Sequence, residues 1–297
     1  MSLLIPVKYH KRSYPNGIIP KIAEISCHFD VSSIKPNPNM AFSLHTEYSH
    51  SARNLNSPLI EEFDAIKEYN KRGIPQLWFN KEWAHQFGEY IIKLVGDLPH
   101  PKIIEIHPPF NDYCPTIENF LDNYSIFEYL ISKQFVDTHI FLENRSGSHY
   151  SGGKFLISTI NDIQQLYTAI KDTSSKLKLV LDVPQIFTAY KLNFYNEVIT
   201  PERVIEILKP LRFLKDFIAG FHIWGKKLNS NNRVASHQGD LSNYFNNNNE
   251  LKTTVLTQLN RIFDDGTPRY FVPEVNSNDE DLKSIIDDLT NHGFKFV

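Results

Sequence analysis

The chain has 297 residues, of which 41% are hydrophobic and 22% charged, and its formal net charge is -3. This composition is typical of an ordered globular protein and excludes a disordered or fibrous chain. The charge supplies no overall basic field, so contact with DNA would require a local patch or metal ions. Two cysteines, Cys27 and Cys114, are too few for a disulfide framework, and no apolar stretch is long enough to cross a membrane. We therefore expect a cytoplasmic protein with no membrane segment and no obligate protein partner.

Apolar segments along the chain predict repeated βα units. Residues 1–40 have no clear period and stay unassigned, while strands are predicted at 41–44 and 76–79 and helices over 59–70 and 81–95. Further along, short apolar runs alternate with helical patterns, as they do around a parallel sheet. These runs lie at 102–106, 139–142, 177–181, 218–221 and 270–272. The predicted fold class is α/β, a single (β/α)8 TIM barrel over residues 1–297 with an irregular region at 1–40.

Three later segments carry helix or loop signals. Apolar residues recur with helical spacing over 163–170, and Thr200 before Pro201 has the pattern of a helix N-cap. Pro210 should kink or divide that second helix. Ser277 with Glu280 predicts a capping box for the last helix, and the asparagine run 246–249 indicates a flexible surface loop.

Polar residues that can bind metal follow the apolar runs. Because side chains at the C-terminal ends of barrel strands converge on one rim, Glu143, Asp182, His222 and Glu274 should lie together. A lone glutamate at a strand end is more often a loop or ion-pair residue than a metal ligand. Several buried carboxylates beside imidazoles, however, require a counter-charge, and this mixture suits zinc or manganese. His107 and His45 occupy the same kind of position, so the predicted metal ligands are His45, His107, Glu143, Asp182, His222 and Glu274.

Short segments in a fixed order give a resemblance to a known family. LENRSG at 142–147 is similar to LENTAG of the endonuclease IV family, and LDVPQIFTAY at 181–190 to its LDTCHAFAAGY. IHPP at 106–109 is similar to FHPG, and RVASH at 233–237 to RVDRH. LHTEYSHSARNL at 44–55 is similar to a segment that begins PHDSY and ends INL, and VPEVNS at 272–277 to a final strand ending LET. The chain thus resembles the xylose isomerase-like TIM barrels, and most of all endonuclease IV, the apurinic endonuclease family 2.

The resemblance implies a site for two zinc ions. His45, His107 and Glu143 would hold one ion, and Glu143 would bridge to a second ion held with Asp182, His222 and Glu274.

The third zinc of the family has lost most of its ligands here. The matching positions are Gln185, Ala235 and His237, and one imidazole does not normally hold zinc against water. We therefore expect two ions, with His237 left to bind substrate or act as an acid or base.

Three functions are consistent with these residues. The leading hypothesis is a divergent endonuclease IV-like metal-dependent hydrolase in DNA repair that cleaves a phosphodiester, with abasic DNA as candidate substrate. The first alternative is a sugar isomerase or epimerase that acts on a small sugar or phosphorylated substrate with one manganese or magnesium ion, and Glu143 and Glu274 as its acid and base. The second is a non-catalytic binding barrel. The candidate residues are, for catalysis, Glu143, Glu274 and His237, and, for substrate binding, Gln185, Arg233 and Lys226.

Overall fold

The computed structural model describes residues 1–15, 17–48, 52, 55, 57–67, 72–150, 153–229, 231 and 233–297. Parts of two predicted segments, 49–51, 53 and 54 of the run 44–55 and 68–70 of the helix 59–70, lie outside these residues. The strands are β1 (Ser2–Lys8), β2 (Ile22–Cys27), β3 (Ala41–Thr46), β4 (Ile103–Ile106), β5 (His139–Glu143), β6 (His149–Tyr150), β7 (Gly153–Lys154), β8 (Lys178–Asp182), β9 (Ile218–Ile223), β10 (Lys226–Leu228), β11 (Val234–Ser236), β12 (Pro268–Pro273) and β13 (Phe294–Phe296). The helices are α1 (Lys81–Val95), α2 (Ile117–Gln134), α3 (Ile160–Ile170), α4 (Val183–Ala189), α5 (Pro201–Leu208), α6 (Leu241–Tyr244), α7 (Asn249–Phe263) and α8 (Asp279–Asn291).

The fold is a TIM barrel, as predicted. The main sheet has the order β12-β9-β8-β5-β4-β3-β2-β1-β13, and β12 also pairs with β1, so that eight strands close on themselves. Helices alternate with these strands, which is the pattern of βα repeats. By residue contacts the chain divides into two compact units, Met1–Ala23 with Val180–Val297, and Glu24–Leu179. The assignment of residues 1–297 to one domain stays a prediction.

The first unit consists of Met1–Ala23 and Val180–Val297, and its strands β1, β12 and β9 pair in parallel. Leu3–Pro6 of β1 lie opposite Pro268–Phe271 of β12, and Tyr270–Pro273 of β12 lie opposite Gly220–Ile223 of β9. Arg269 on β12 is buried and donates to both carboxylate oxygens of Asp265 at 2.9 and 2.8 Å and to the carbonyl oxygens of Ile218 and Lys215 at 3.1 and 3.0 Å. These bonds satisfy a guanidinium that would otherwise be costly to bury.

The second unit, Glu24–Leu179, contains the neighbouring parallel strands β3, β4 and β5 and the helices α1 and α2 that pack on each other. An aromatic cluster surrounds Trp78: its ring centroid lies 5.1 Å from that of Trp83, 5.6 Å from Phe87 and 5.4 Å from Phe127. The Trp78 ring N–H donates to the carbonyl oxygen of His107 at 2.7 Å, which ties this core to the end of β4.

Several predicted elements are confirmed. The helix 81–95 matches α1, and α5 begins at Pro201 with the Thr200 side chain accepting from the Arg203 N–H. That helix ends at Leu208, and a 3₁₀ helix containing Pro210 follows, as the proline predicted. The five later strand runs are all strands. None of the helices in the described part of the chain has the length and hydropathy of a membrane span.

Other predictions are wrong. Residues 76–79 do not form a strand, because the chain turns at Trp78 with a positive φ of 59°. Over 59–67 the described residues contain only a short 3₁₀ helix, Ile60–Glu62, although Ile60, Phe63 and Ile66 are buried at helical spacing.

The cap prediction near the C-terminus is wrong, and the loop prediction holds only in part. The last helix is capped by Asn278, which accepts from the N–H of Asp281, so Ser277 lies one residue too early. Residues 246–248 are exposed and lie outside helices and strands, as predicted for a surface loop, but Asn249 begins α7, and Asn248 caps this helix by accepting from the Leu251 N–H. In residues 1–40, left unassigned above, the structure has the two strands β1 and β2.

Candidate metal centre

Strand register brings four potential ligands together within the second unit. His45 on β3 lies opposite Glu105 on β4, and Glu105 and His107 are two residues apart, so both face the same side. Glu143 is the last residue of β5. One donor atom from each of His45, Glu105, His107 and Glu143 lies within 4.8 Å of the others, and all four residues are buried. Buried His/Glu groups in this arrangement could hold a metal ion.

His45 lies between two carboxylates. Its Nδ1 is 3.1 Å from Glu105 Oε1 and 3.6 Å from Glu24 Oε1. Burial lowers the pKa of the imidazole, but the charges of Glu24 and Glu105 outweigh this effect and raise the pKa well above its usual value. Without a metal, His45 is therefore a cation that balances the two glutamates. A divalent ion could supply the same balance.

His107 has the opposite electrostatic character. Burial lowers the pKa of its imidazole more than the nearby Glu143 raises it, so the ring is neutral and carries one N–H. Its two nitrogens nevertheless both face oxygens: Nδ1 is 3.2 Å from the carbonyl oxygen of Glu47, and Nε2 is 2.9 Å from Glu143 Oε2. The single N–H of the ring can donate to only one of these oxygens. The other ring nitrogen then directs its lone pair at an oxygen, which is unfavourable. A cation at the lone pair removes this conflict.

The second oxygen of Glu143 is held by a guanidinium. Arg145 Nη1 donates to Glu143 Oε1 at 3.0 Å, and the guanidinium also lies over the rings of Tyr48 and Phe155 at 5.2 and 5.5 Å. Aromatic stacking fixes the Arg145 side chain, so that it orients the carboxylate. The carboxylate of Glu143 is thus positioned with one oxygen towards His107 and one towards Arg145.

The first unit carries Asp182 at the end of β8, where it also caps α4. Its Oδ1 accepts from the N–H of Gln185 at 2.9 Å, and its Oδ2 accepts from the Trp224 ring N–H at 3.1 Å. A donor atom of Asp182 and one of His222 lie within 4.8 Å of each other. Two donated hydrogen bonds fix the carboxylate and leave it further lone pairs for a cation.

Glu274 lies between two histidines of the same unit. Its Oε1 is 3.4 Å from Nδ1 of His222, which is completely buried, and its Oε2 is 3.4 Å from Nδ1 of His237. His237 has a positive φ of 59° and stacks on Trp224, with ring centroids 4.3 Å apart. Both contacts are long for hydrogen bonds. His237, predicted to be an acid or base, is thus positioned against a carboxylate.

The predicted substrate-binding residues occupy different surroundings. Lys226 lies over the rings of Trp224 and Tyr244, at 5.3 and 5.1 Å from their centroids, and burial lowers the pKa of its ammonium although Asp182 opposes this effect. Gln185 is half-buried in the first turn of α4. Arg233 is exposed, and its backbone N–H donates to Asn229 Oδ1 at 3.0 Å.

Three residues of these sites were not predicted from the sequence: Glu105, Glu24 and Trp224. Glu105 had a signal, because in IEIH it precedes His107 by two residues and must face the same way on a strand. Glu24 had none, since β2 was not predicted. Trp224, which contacts Asp182, follows β9 and resembles an ordinary apolar residue of that run. The ligand roles of the six predicted residues, including the bridging role of Glu143, stay predictions.

Comparisons with known proteins agree with the fold. No protein-family model matches the chain, and no curated protein is significantly similar to it. The crystal structure of AsfvAP:AG is similar over 98% of this chain and 97% of that chain, at 12% identity and a TM-score of 0.51. A xylose isomerase domain protein from Planctomyces limnophilus has 12% identity over 95% and 98% of the two chains, with a TM-score of 0.42. A family 5 xyloglucanase from Paenibacillus pabuli has 10% identity over 92% and 86%, with a TM-score of 0.45. At these identities the likeness concerns the fold alone.

Proposed function

We propose that the chain is a metal-dependent hydrolase of the endonuclease IV type that cleaves a phosphodiester, with abasic DNA as the first substrate to test. The observation that carries the metal requirement is the placing of neutral His107 between two oxygens, 3.2 Å from the Glu47 carbonyl and 2.9 Å from Glu143. A cation held by the ring nitrogen that lacks a proton turns the unfavourable contact into a favourable one.

The donor set fits a zinc ion. His45, His107 and Glu143 provide the two imidazoles and one carboxylate that the family resemblance assigns to its first ion, and Glu105 adds a second carboxylate within reach. Imidazoles and carboxylates are usual zinc ligands, and a catalytic zinc ion would be held by three of these residues so that a position stays open for water. The pair of imidazoles also favours a hydrolase over the sugar isomerase, which does not need His45 and His107. We assign Asp182, His222 and Glu274 to the second ion.

Divalent ions at these positions would polarise the phosphodiester and lower the pKa of the attacking water. The protein's own groups do the rest. Trp224 orients Asp182 through its ring N–H and orients His237 by stacking, while Glu274 faces both His222 and His237. We assign to His237 the transfer of a proton to the leaving oxygen, for which its 29% exposed side chain is accessible.

Two of the family's three ligands for a third ion are absent. Gln185 and Ala235 offer no anionic or imidazole ligand, so we expect two ions. The positive charge of Lys226 and Arg233 would replace the third ion at the substrate phosphate. Gln185→His combined with Ala235→Asp should raise the zinc content towards three per chain and increase nicking. No gain in either quantity would contradict this account of the third position.

The test combines metal content with nuclease activity. Protein purified without added metal is analysed for elements, and nicking of a duplex with one abasic site is compared with nicking of the intact duplex. We expect close to two zinc ions per chain, nicking of the abasic duplex only, and loss on chelation. Glu143→Gln should be inactive and metal-depleted. One manganese or magnesium ion without nicking would favour sugar isomerisation, and absence of any bound metal would favour the non-catalytic barrel.

A further inference from the structure

A cavity of about 300 Å³ lies beside the hairpin of β10 and β11, in the unit that also contains Asp182 and Glu274. Its polar lining includes Lys191, Lys226, Thr188 and Asn193. Phe194 and Tyr244 contribute apolar ring surface to the same walls. None of the lining residues that the structure describes is acidic, so two ammonium groups give the cavity a positive charge.

Lys226 is held in this cavity without an acidic partner at contact distance. Its ammonium lies over the rings of Trp224 and Tyr244, and its Nζ is 3.5 Å from the Thr188 hydroxyl. Asp182 attracts it electrostatically, yet among the described residues no carboxylate lies within ion-pair distance of Nζ. An ammonium that is partly withdrawn from water and lacks an adjacent carboxylate favours a bound anion.

The backbone holds the two lysines in place. The Tyr195 hydroxyl is 2.8 Å from the carbonyl oxygen of Lys226 and 2.7 Å from that of Asn243, which fixes the start of β10 to α6. Lys191 follows α4 in a left-handed conformation with φ of 59°, and its N–H donates to the Thr188 carbonyl oxygen at 2.9 Å. This tight turn brings Lys191 into the same lining as Lys226.

We propose that this cavity binds a phosphate group between the ammonium groups of Lys226 and Lys191, with the aromatic walls against the attached sugar. The Thr188 hydroxyl donates to the Pro184 carbonyl oxygen at 3.0 Å and accepts from Lys226, so it positions the ammonium of Lys226. Ammonium groups are common phosphate ligands, and ring faces suit the carbon side of a sugar. The ligand class is a sugar phosphate, supplied either by a DNA backbone or by a small molecule. The inference deepens the proposed function by naming the group that binds the substrate phosphate, but it does not require a bound metal.

The first experiment measures the affinity of the full chain for inorganic phosphate and for ribose 5-phosphate by calorimetry, as purified and after chelation. We expect Lys226→Met to weaken both affinities at least about tenfold, since a charge-assisted hydrogen bond is lost. Lys191→Met should weaken them less, because its ammonium is more exposed. Lys227→Met is the matched control, because Lys227 is the next residue of β10, is exposed and lies outside the cavity lining. The affinities of this variant for both ligands should stay within about twofold of those of the parent protein.

Folding and metal binding are controlled separately. Lys226→Arg should keep most of the affinity, and circular dichroism should show the same thermal midpoint for all variants. Phosphate affinity that remains after chelation is due to the cavity and not to a bound metal ion. This result would support the phosphate site even if the protein binds no metal. Equal affinity of Lys226→Met and the parent, or an equal loss in Lys227→Met, would overturn the proposal.

The source of the phosphate is distinguished by competition. A short single-stranded oligonucleotide that displaces ribose 5-phosphate, and whose binding Lys226→Met weakens, would identify a nucleic-acid backbone as the ligand. Displacement by small sugar phosphates alone would identify a small-molecule substrate and would support the same cavity.

Discussion

Glu105 provides the sharpest test of the candidate metal centre, because it was not among the ligands that the family resemblance implied. Its Oε1 lies 3.1 Å from Nδ1 of His45, and the side chain is 3% exposed. Glu105→Gln keeps the size and one oxygen but removes the charge. Two quantities should change: the stability of the metal-free protein and its affinity for zinc.

In the metal-free protein the change concerns His45. Its pKa is raised in the folded state, so the stabilisation is fully present below the unfolded value of 6.5 and is lost as the pH rises through the folded pKa. Removing the Glu105 charge removes one of the two acids that raise this pKa. Breaking a buried ion pair typically costs about 3–5 kcal/mol, and a neutral amide at this position would retain only part of the attraction across 3.1 Å. The decline of stability with rising pH should therefore be smaller in Glu105→Gln.

In the metal-bound protein the size of the loss separates two roles. A residue that only orients a ligand typically changes metal affinity by about 10- to 100-fold, whereas loss of a direct ligand should exceed about 100-fold. Zinc affinity is measured by competition with a chromophoric chelator. The unfolding free energy of the metal-free protein is measured by urea titration between about pH 5.5 and 8.5, a range that includes the ordinary pKa of histidine.

Glu24→Gln is the matched control, because Glu24 lies farther from the same nitrogen, at 3.6 Å. It should reduce the pH dependence of stability but lower zinc affinity less than Glu105→Gln. Zinc affinity and pH dependence that both remain unchanged in Glu105→Gln would refute the assignment of Glu105 to the metal site. A smaller effect than that of Glu24→Gln would refute it as well.

Three further outcomes are expected. Arg269→Met should lower the unfolding free energy in urea by about 3–5 kcal/mol, because it leaves buried carbonyl oxygens and Asp265 without their partner; a loss below about 1 kcal/mol would contradict this. The Arg269 guanidinium lowers the pKa of Asp265, so this stabilisation should be present above about pH 4 and lost as the pH falls, and Arg269→Met should flatten the urea-measured stability between about pH 2 and 5. Trp224→Phe keeps an aromatic ring but removes the bond to Asp182, so metal content should fall while circular dichroism shows a folded protein. An unchanged zinc content would show that this bond does not support a metal ligand.

Much of the candidate site was predictable because strand ends have a simple geometry. His45, His107 and Glu143 follow apolar runs, and adjacent parallel strands bring them together whatever the details of packing. Glu105 also has a local signal, because the two-residue period of a strand places it on the same side as His107. The choice between a neutral and a charged histidine was not predictable, because it depends on Glu24 and Glu105 at distances that only packing sets.

Errors in the fold prediction share a physical cause. The helix over 81–95 has a side-chain cap and a continuous apolar face, so local interactions suffice to specify it. Local interactions do not specify the turn at Trp78. Its positive φ is stabilised by the buried indole ring, which packs against Trp83, Phe87 and Phe127 and donates to the carbonyl oxygen of His107. Long-range packing of this kind overrides the strand propensity of the residues around it.

By itself the sequence determined the alternation of strands and helices, and with it the barrel and the residues at its strand ends, because hydrophobic period and caps are local properties. Only the tertiary structure decided the charge states and orientations on which chemistry depends. The position of His107 between two oxygens, the stacking of His237 on Trp224 and the convergence of Lys191 and Lys226 on one cavity all join residues far apart in the chain. Such contacts arise from packing and have no local signal.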